Sequence, residues 1–472
     1  MALKELKENN KEQIEDTVKD IKIAYIGGGS QGWAKRLMSD LALESKISGT
    51  VALYDINFKA ALDNEKVGNL LSKHPDVKGK WHYQAVQTIQ EALQGADFVI
   101  ISILPGSFQA MGSDVHQPEK YGIYQSVGDT AGPGGLMRAC RTIPIYADIA
   151  NHIKALAPNA WVINYTNPMS LCTRTLYEIF PEIKAFGCCH EVFHTQELLA
   201  HMVTDLLEIE VKSRKEIKIN VLGINHFTWI NRASYKNIDL MPLYQTFVDK
   251  YYEEGYEIKK GAWRESVFES CNRVKFDLFK RYGLIAAAGD RHLAEFMPPW
   301  YLKDPETVKA WKFRLTPVDF RIQDQQEKIN KNQKLLSGEE QLEVRPSGEE
   351  GVEMILALLG MGDLVTNVNL PNQGQIAGLP LGSVVETNAL IRKDSVLPVM
   401  AGQLPLDIHN MVQRHVYNQE SVLQAALNKD KQLAFNAFIN EPLVANISRY
   451  KAEKLFNEMI ENTKDYLPGW DI

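Results

Sequence analysis

The sequence predicts an α/β chain: a doubly wound parallel sheet in its first part, followed by a longer α+β part. Three observations lead there. Short β-rich runs alternate with helical stretches up to about Glu197, the first run ends in glycines, and beyond residue 198 the alternation stops. The first twenty residues are charged and have no apolar core of the signal-peptide kind, so they read as a solvated, partly helical extension. Residues 21–26 form the first strand and residues 33–43 the helix after it. Further strands are expected at 51–54, 98–103, 161–165 and 183–186, with right-handed crossover helices between several of them. Residues 21–197 make one domain. Residues 198–472 make the second, with a strand at 218–222, a helix-rich stretch at 243–280 and a charged stretch at 324–350. There follow an exposed polar loop at 341–351, a β-rich segment at 367–391 and a helical last eighty or so residues.

Composition narrows the function. A net charge of −7 offers no basic patch for nucleic acid or an anionic membrane, so the expected partner is a small molecule. The apolar runs are strand-sized and too short to span a bilayer. Cys140, Cys172, Cys188, Cys189 and Cys271 are sparse and odd in number, which points away from a disulfide framework and toward a cytoplasmic, reducing compartment.

Between the first strand and its helix stands Ile-Gly-Gly-Gly-Ser-Gln-Gly, in which Gly27, Gly29 and Gly32 satisfy G-x-G-x-x-G, with Ser30 and Gln31 in the turn. Glycines here let backbone amides and a helix N-terminus approach a pyrophosphate, the device of Rossmann-type domains. Any tight strand-to-helix turn could use the same glycines. What favours a dinucleotide is Asp55, closing the second strand, where a carboxylate accepts from ribose hydroxyls and repels a 2′-phosphate. NAD is expected rather than NADP.

Cys188-Cys189-His190-Glu191 follows the strand at 183–186, at the carboxyl end of the sheet where open α/β folds bind ligands. The pair could be packed interior. However, His226, in Gly-Ile-Asn-His-Phe after another short strand, could place an imidazole beside the Cys189 thiolate. Two protein ligands suit an open, catalytic metal site.

The residues together resemble the NAD- and divalent-metal-dependent glycosidases of glycoside hydrolase family 4 over nearly the whole chain. The resemblance rests on the glycine turn, the Gly128–Gly135 run, Asn-Tyr-Thr-Asn-Pro ending at Pro168, the Cys189 tetrapeptide and the His226 segment. It extends through Leu-Pro-Asn-Gln-Gly from Leu370 and Gly-Gln-Leu-Pro from Gly402. It implies a lactate/malate dehydrogenase-like fold, a metal, usually Mn²⁺, held by Cys189 and His226, a substrate contact at Asn167, and a homodimer or homotetramer. It also implies a redox-neutral elimination: hydride leaves C3 for NAD⁺, a base takes the C2 proton, the glycosidic oxygen departs, water adds and the hydride returns.

For the base we favour Asp290, assisted by Asp129, over Tyr282, which lies in the segment where phospho-glucosidase members carry a tyrosine. Alone, Asp290 beside Arg291 would read equally well as a surface ion pair. His190 occupies the position of a general acid and could equally be a substrate contact. Cys-His-Glu-Val resembles the α-galacturonidase branch, with α-galactosidase or α-glucuronidase as the alternatives. A uronate carboxylate needs a cationic partner, for which Arg291, His292 and Arg138 are the candidates. A 2-hydroxy-acid dehydrogenase would share the first domain but leave Cys189 and His226 without a role.

Overall fold

Strand β1 (Val18–Ile26) is apolar where the chain enters the core, and Ile23 and Ala24 are fully buried. The structure, a computed structural model, describes residues 17–341 and 343–471. Residues 1–16 of the expected extension lie outside the described residues, and residues 18–20 belong to β1, so the strand begins three residues earlier than periodicity suggested.

After β1 come β2 (Ile47–Tyr54), β3 (Lys80–Val86), β4 (Phe98–Ile101), β5 (Trp161–Asn164) and β6 (Lys184–Gly187). They are parallel and ordered β3-β2-β1-β4-β5-β6. That is the doubly wound dinucleotide-binding order, with its switch point between β1 and β4. Strand β3, which alternates buried apolar Trp81, Tyr83 and Val86 with exposed residues, was not anticipated from the sequence.

The α+β part begins with the antiparallel hairpin β7 (Ile217–Ile224) and β8 (Phe227–Tyr235), flanked by β9 (Ile238–Asp239) and β10 (Ile285–Ala286). Strands β11 (Leu364–Pro371), β12 (Val384–Arg392) and β13 (Ser395–Pro398) then return to the first sheet. They pair antiparallel beyond β6 through Asn369 and Gly187, giving nine strands. The division near residue 197 therefore runs through the chain and not through the sheet.

The helix Gly132–Leu156 joins the two parts. Its first turns put Leu136, Met137, Cys140 and Ile143 into a core shared with the C-terminal helices, while Tyr146, Ile149 and Ile153 face the parallel sheet. Residues 341 and 343–350 are irregular as expected, yet Ser347 donates to Asp40, Glu349 pairs with Arg36 and Glu350 with Arg214. No helix of the described residues is long and apolar enough to cross a membrane.

Candidate active site

The glycine turn has the predicted geometry. Gly27 sits at φ 96°, and a Cβ there would lie 2.0 Å from the Ser102 carbonyl oxygen. A Cβ on Gly29 would meet Ala60 at 2.7 Å, and its amide donates to Asp55 Oδ2 at 2.9 Å. At the start of the helix Trp33–Leu43, Gly32 offers no side-chain cap and the Trp33 amide donates to Ser30 Oγ at 3.2 Å. Near Gly32 the closest group to an added Cβ is the Lys328 ammonium, 3.9 Å away. Gln31 is fixed from both ends: its Nε2 donates to the Gly29 carbonyl, and its Oε1 accepts from Asn332. Close backbone, a helix N-terminus and a carboxylate at the second strand fit a dinucleotide.

A second cluster forms from segments far apart in sequence. Donor atoms of Asp129, His226 and His292 lie within 4.8 Å of one another. His226 occupies the two-residue turn between β7 and β8 at φ 64°, a conformation costly for a branched ring and held here by the hairpin. The Thr130 hydroxyl donates to Asp129 Oδ1 at 2.8 Å and lies 3.1 Å from His226 Nδ1. Having spent its one proton, that hydroxyl accepts from Nδ1–H and leaves Nε2 with the lone pair a cation needs. The His226 and His292 rings stand 3.7 Å apart. Burial and His226 push His292 down to about 3, so it is a neutral imidazole. Burial alone would raise Asp129, but Arg138, His292 and His226 hold it well below the usual carboxylate range.

Cys189 lies at the end of β6, outside that three-donor group, next to Asn225, with burial and the Glu386 and Glu191 carboxylates pushing its thiol up. Binding a cation through sulfur would expel that proton. The Asp129 oxygen and the two histidine nitrogens fit a divalent transition metal with open positions, and the Cys189 sulfur is not among the donors grouped with them. Asn167 joins the cluster, its Nδ2 lying 3.3 Å from Asp129 Oδ2, and its buried Oδ1 has no partner.

The remaining predicted residues separate. His190 stacks on Trp33 at 5.7 Å, and its Nδ1 is 3.4 Å from Glu349 Oε1. Burial would lower its pKa, but Glu349 and Glu191 outweigh it and raise it. Asp290 is fully buried, is not an ion pair with Arg291, and accepts from the Lys275 amide at 3.0 Å; its Oδ2 has no partner and burial raises its pKa. Tyr282 packs edge-on against Trp229 at 5.8 Å. Arg138 donates to the Asn167 carbonyl at 3.1 Å, and Arg291 donates to Thr316 at 2.7 Å.

Three groups had no role assigned from the sequence, although Glu191 stood in the Cys189 motif. Glu191 accepts from the Gly289 amide and lies 3.7 Å from His292 Nε2. Glu295 accepts from the amides of Val127 and Gly128 and so fixes the turn that carries Asp129. Glu386 bridges Asn367 and Asn225 beside Cys189, and burial pushes it up to about 7. The spacing of Glu295 three residues after His292 on one helix was the available signal.

Comparison with known proteins shows the family. Residues 22–205 match the family 4 glycosyl hydrolases, and residues 221–444 match the C-terminal domain of that family. The α-galacturonidase of Thermoanaerobacterium saccharolyticum is 63% identical over 96% of this chain and 98% of its own length. That of Bacillus subtilis is 57% identical over 94% and 98%. A crystal structure from B. subtilis, described as a glucosidase, superposes with a TM-score of 0.90 at 57% identity, covering 94% of this chain and 100% of that one. The 6-phospho-β-glucosidase of Thermotoga maritima, solved with manganese, NAD⁺ and glucose-6-phosphate, shares the fold, with a TM-score of 0.74 at 20% identity over 95% and 99%. With both halves matched and its relatives aligned from end to end, this chain belongs to the family 4 glycosyl hydrolases.

Proposed function

We propose that the protein is an α-galacturonidase that cleaves its substrate by redox-neutral elimination, with NAD in the glycine turn and a divalent cation, Mn²⁺ by preference, at Cys189 and His226. The observation that carries this reading is the meeting of Asp129, His226 and His292 with Asn167, in a chain whose first strand ends in a dinucleotide turn. The substrate class is supported by the full-length relatives that bear the α-galacturonidase name. Gly27, Gly29, Ser30, Gln31, Gly32 and Asp55 would hold the dinucleotide. When bound, NAD⁺ supplies a hydride acceptor for C3 and the cation a Lewis acid for the C2–C3 oxygens.

The chain's own groups do the rest. Asn167, with Oδ1 unsatisfied, orients a sugar hydroxyl beside Asp129. His190, stacked on Trp33 and with its pKa raised by Glu349 and Glu191 against the effect of burial, donates to the departing oxygen. Asp290, more basic than Asp129 and with a free oxygen, takes the C2 proton, and Asp129 assists. The free cysteines support a reducing, cytoplasmic setting, and family resemblance supports a homodimer or homotetramer.

A panel of nitrophenyl α-glycosides with NAD⁺, Mn²⁺ and a thiol reductant tests the reading. Turnover of the galacturonide without net NADH is expected; preference for a neutral galactoside or a 6-phospho-sugar overturns the substrate class, and accumulation of NADH overturns the mechanism. For the base, Asp290→Asn should abolish deuterium exchange from solvent at C2, and normal exchange removes Asp290 from that role.

A further inference from the structure

Cys189 and His226 stand in different halves of the chain, and one buried carboxylate ties down both of their segments. Strand β12 carries Glu386 and, two residues on, Asn388, so the two side chains leave the same face of the strand. The β7–β8 hairpin docks there. Asn388 accepts from the Val221 amide at 3.2 Å and donates to the Ile219 carbonyl at 3.0 Å, where the β7–β8 register shifts. At the tip of the hairpin, Asn225 Nδ2 donates to Glu386 Oε2 at 3.2 Å, and the next residue is His226.

The second arm runs the other way. Glu386 Oε1 accepts from Asn367 Nδ2 at 2.7 Å, and the same Nδ2 lies 3.4 Å from the Cys189 carbonyl oxygen. Strand register makes this reach possible, because Asn369 of β11 stands opposite both Glu386 and Gly187, two residues before Cys189. Glu386, Asn225 and Asn367 are all buried. Each asparagine presents an NH2 group, so the residue between them must accept twice and donate nothing, which a carboxylate does and a carboxamide does not. Packing alone needs no charge at such a place, where an apolar side chain costs less.

We infer that Glu386 is a positioning residue of the metal site, holding the His226 turn and the Cys189 segment in one geometry through Asn225 and Asn367. It is not among the donors grouped with His226, so it acts through its neighbours and not as a ligand. This rests on the reading of Cys189 and His226 as metal ligands.

The test measures Mn²⁺ affinity by electron paramagnetic resonance and, in protein loaded with Co²⁺, the sulfur-to-metal charge-transfer band that a Cys189 ligand produces. Three variants separate geometry from charge. Glu386→Gln turns a donor toward one asparagine, and Mn²⁺ affinity should fall roughly 10- to 100-fold with the band weakened. Adding Asn225→Asp gives that donor an acceptor, and both readouts should recover most of the loss. Asn367→Ala keeps the charge and cuts only the Cys189 arm, so the band should weaken although the carboxylate remains. A merely structural role would lower the denaturant midpoint and leave the spectrum of the folded protein unchanged. Where Glu386→Gln fails to fold, the other two variants decide. Wild-type affinity and band in both Glu386→Gln and Asn367→Ala overturn the proposal. So does a loss in Glu386→Gln that the double variant does not recover and Asn367→Ala does not share, since charge alone explains it. A wild type that binds Co²⁺ without the band sinks the Cys189 ligand reading instead. Crystal structures of the metal-free wild type and Asn367→Ala then decide, a displaced Cys189 segment supporting the positioning role and an unmoved one overturning it.

Discussion

Asn332 and Gln31, 301 positions apart, share a hydrogen bond of 2.6 Å from Nδ2 to Oε1, which ties the helix Val318–Ser337 to the glycine turn. The same helix carries Lys328 near Gly32, so it meets the turn at two points. Removing the amide should loosen Gln31. For Asn332→Ala we expect NAD⁺ affinity to fall by a factor of about 2 to 12, the worth of about 0.5–1.5 kcal/mol for one hydrogen bond, read by calorimetry. Unchanged affinity would show that the contact serves folding alone.

Metal retention should depend on the cluster in a graded way. His226→Ala removes a ligand and should abolish stoichiometric Mn²⁺ after gel filtration. Thr130→Ala leaves the ring but frees its orientation, and should weaken binding by roughly 10- to 100-fold. Electron paramagnetic resonance of free Mn²⁺ measures both, and full retention by His226→Ala would exclude it as a ligand.

Glu295 makes stability pH-dependent. Burial pushes its carboxyl up to about 7 despite the Val127 and Gly128 amides, whereas the unfolded chain ionises near 4.5. Between those values the folded state holds a proton that the unfolded state has released, so this group's contribution falls as pH rises from about 4.5 to 7 and is flat outside that window. Glu295→Gln keeps an oxygen for the two amides and removes the titration. Its denaturant midpoint should match the wild type near pH 4 and exceed it at pH 8; an identical pH profile for the two proteins would show that Glu295 is not the group responsible.

Arg141 and Asp114 form a buried two-pronged pair, with Arg141 Nε also donating to the Pro105 carbonyl and Gln125 to the Asp114 carbonyl. Arg141→Met strands a buried carboxylate and should cost about 3–5 kcal/mol, read from urea unfolding. The double variant Arg141→Met with Asp114→Leu should recover much of the loss, because no charge is left unpaired.

The parts of the molecule legible from sequence are those fixed by neighbours along the chain. The helix Trp33–Leu43 was placed to the residue, because its start follows a glycine turn and its apolar spacing is helical. Asp55 was placed by ending an apolar strand, and His226 by following another short one. Strand β3 escaped notice because its apolar residues alternate with Lys80, His82 and Gln84 and carry no motif. His292 was one of three candidates for a carboxylate partner because it flanks a matched segment; that its ring lies against His226 could not be read from the sequence.

By itself, then, the sequence determined the parallel sheet, the dinucleotide turn with Asp55, and the identity of the chemically competent side chains, since local sterics and periodicity dictate these. Only the tertiary structure decided which of them meet. The gathering of Asp129, His226 and His292 and the addition of β11–β13 to the first sheet both depend on packing between segments remote in the chain. No local rule encodes such contacts, because burial of many small apolar surfaces sets them jointly.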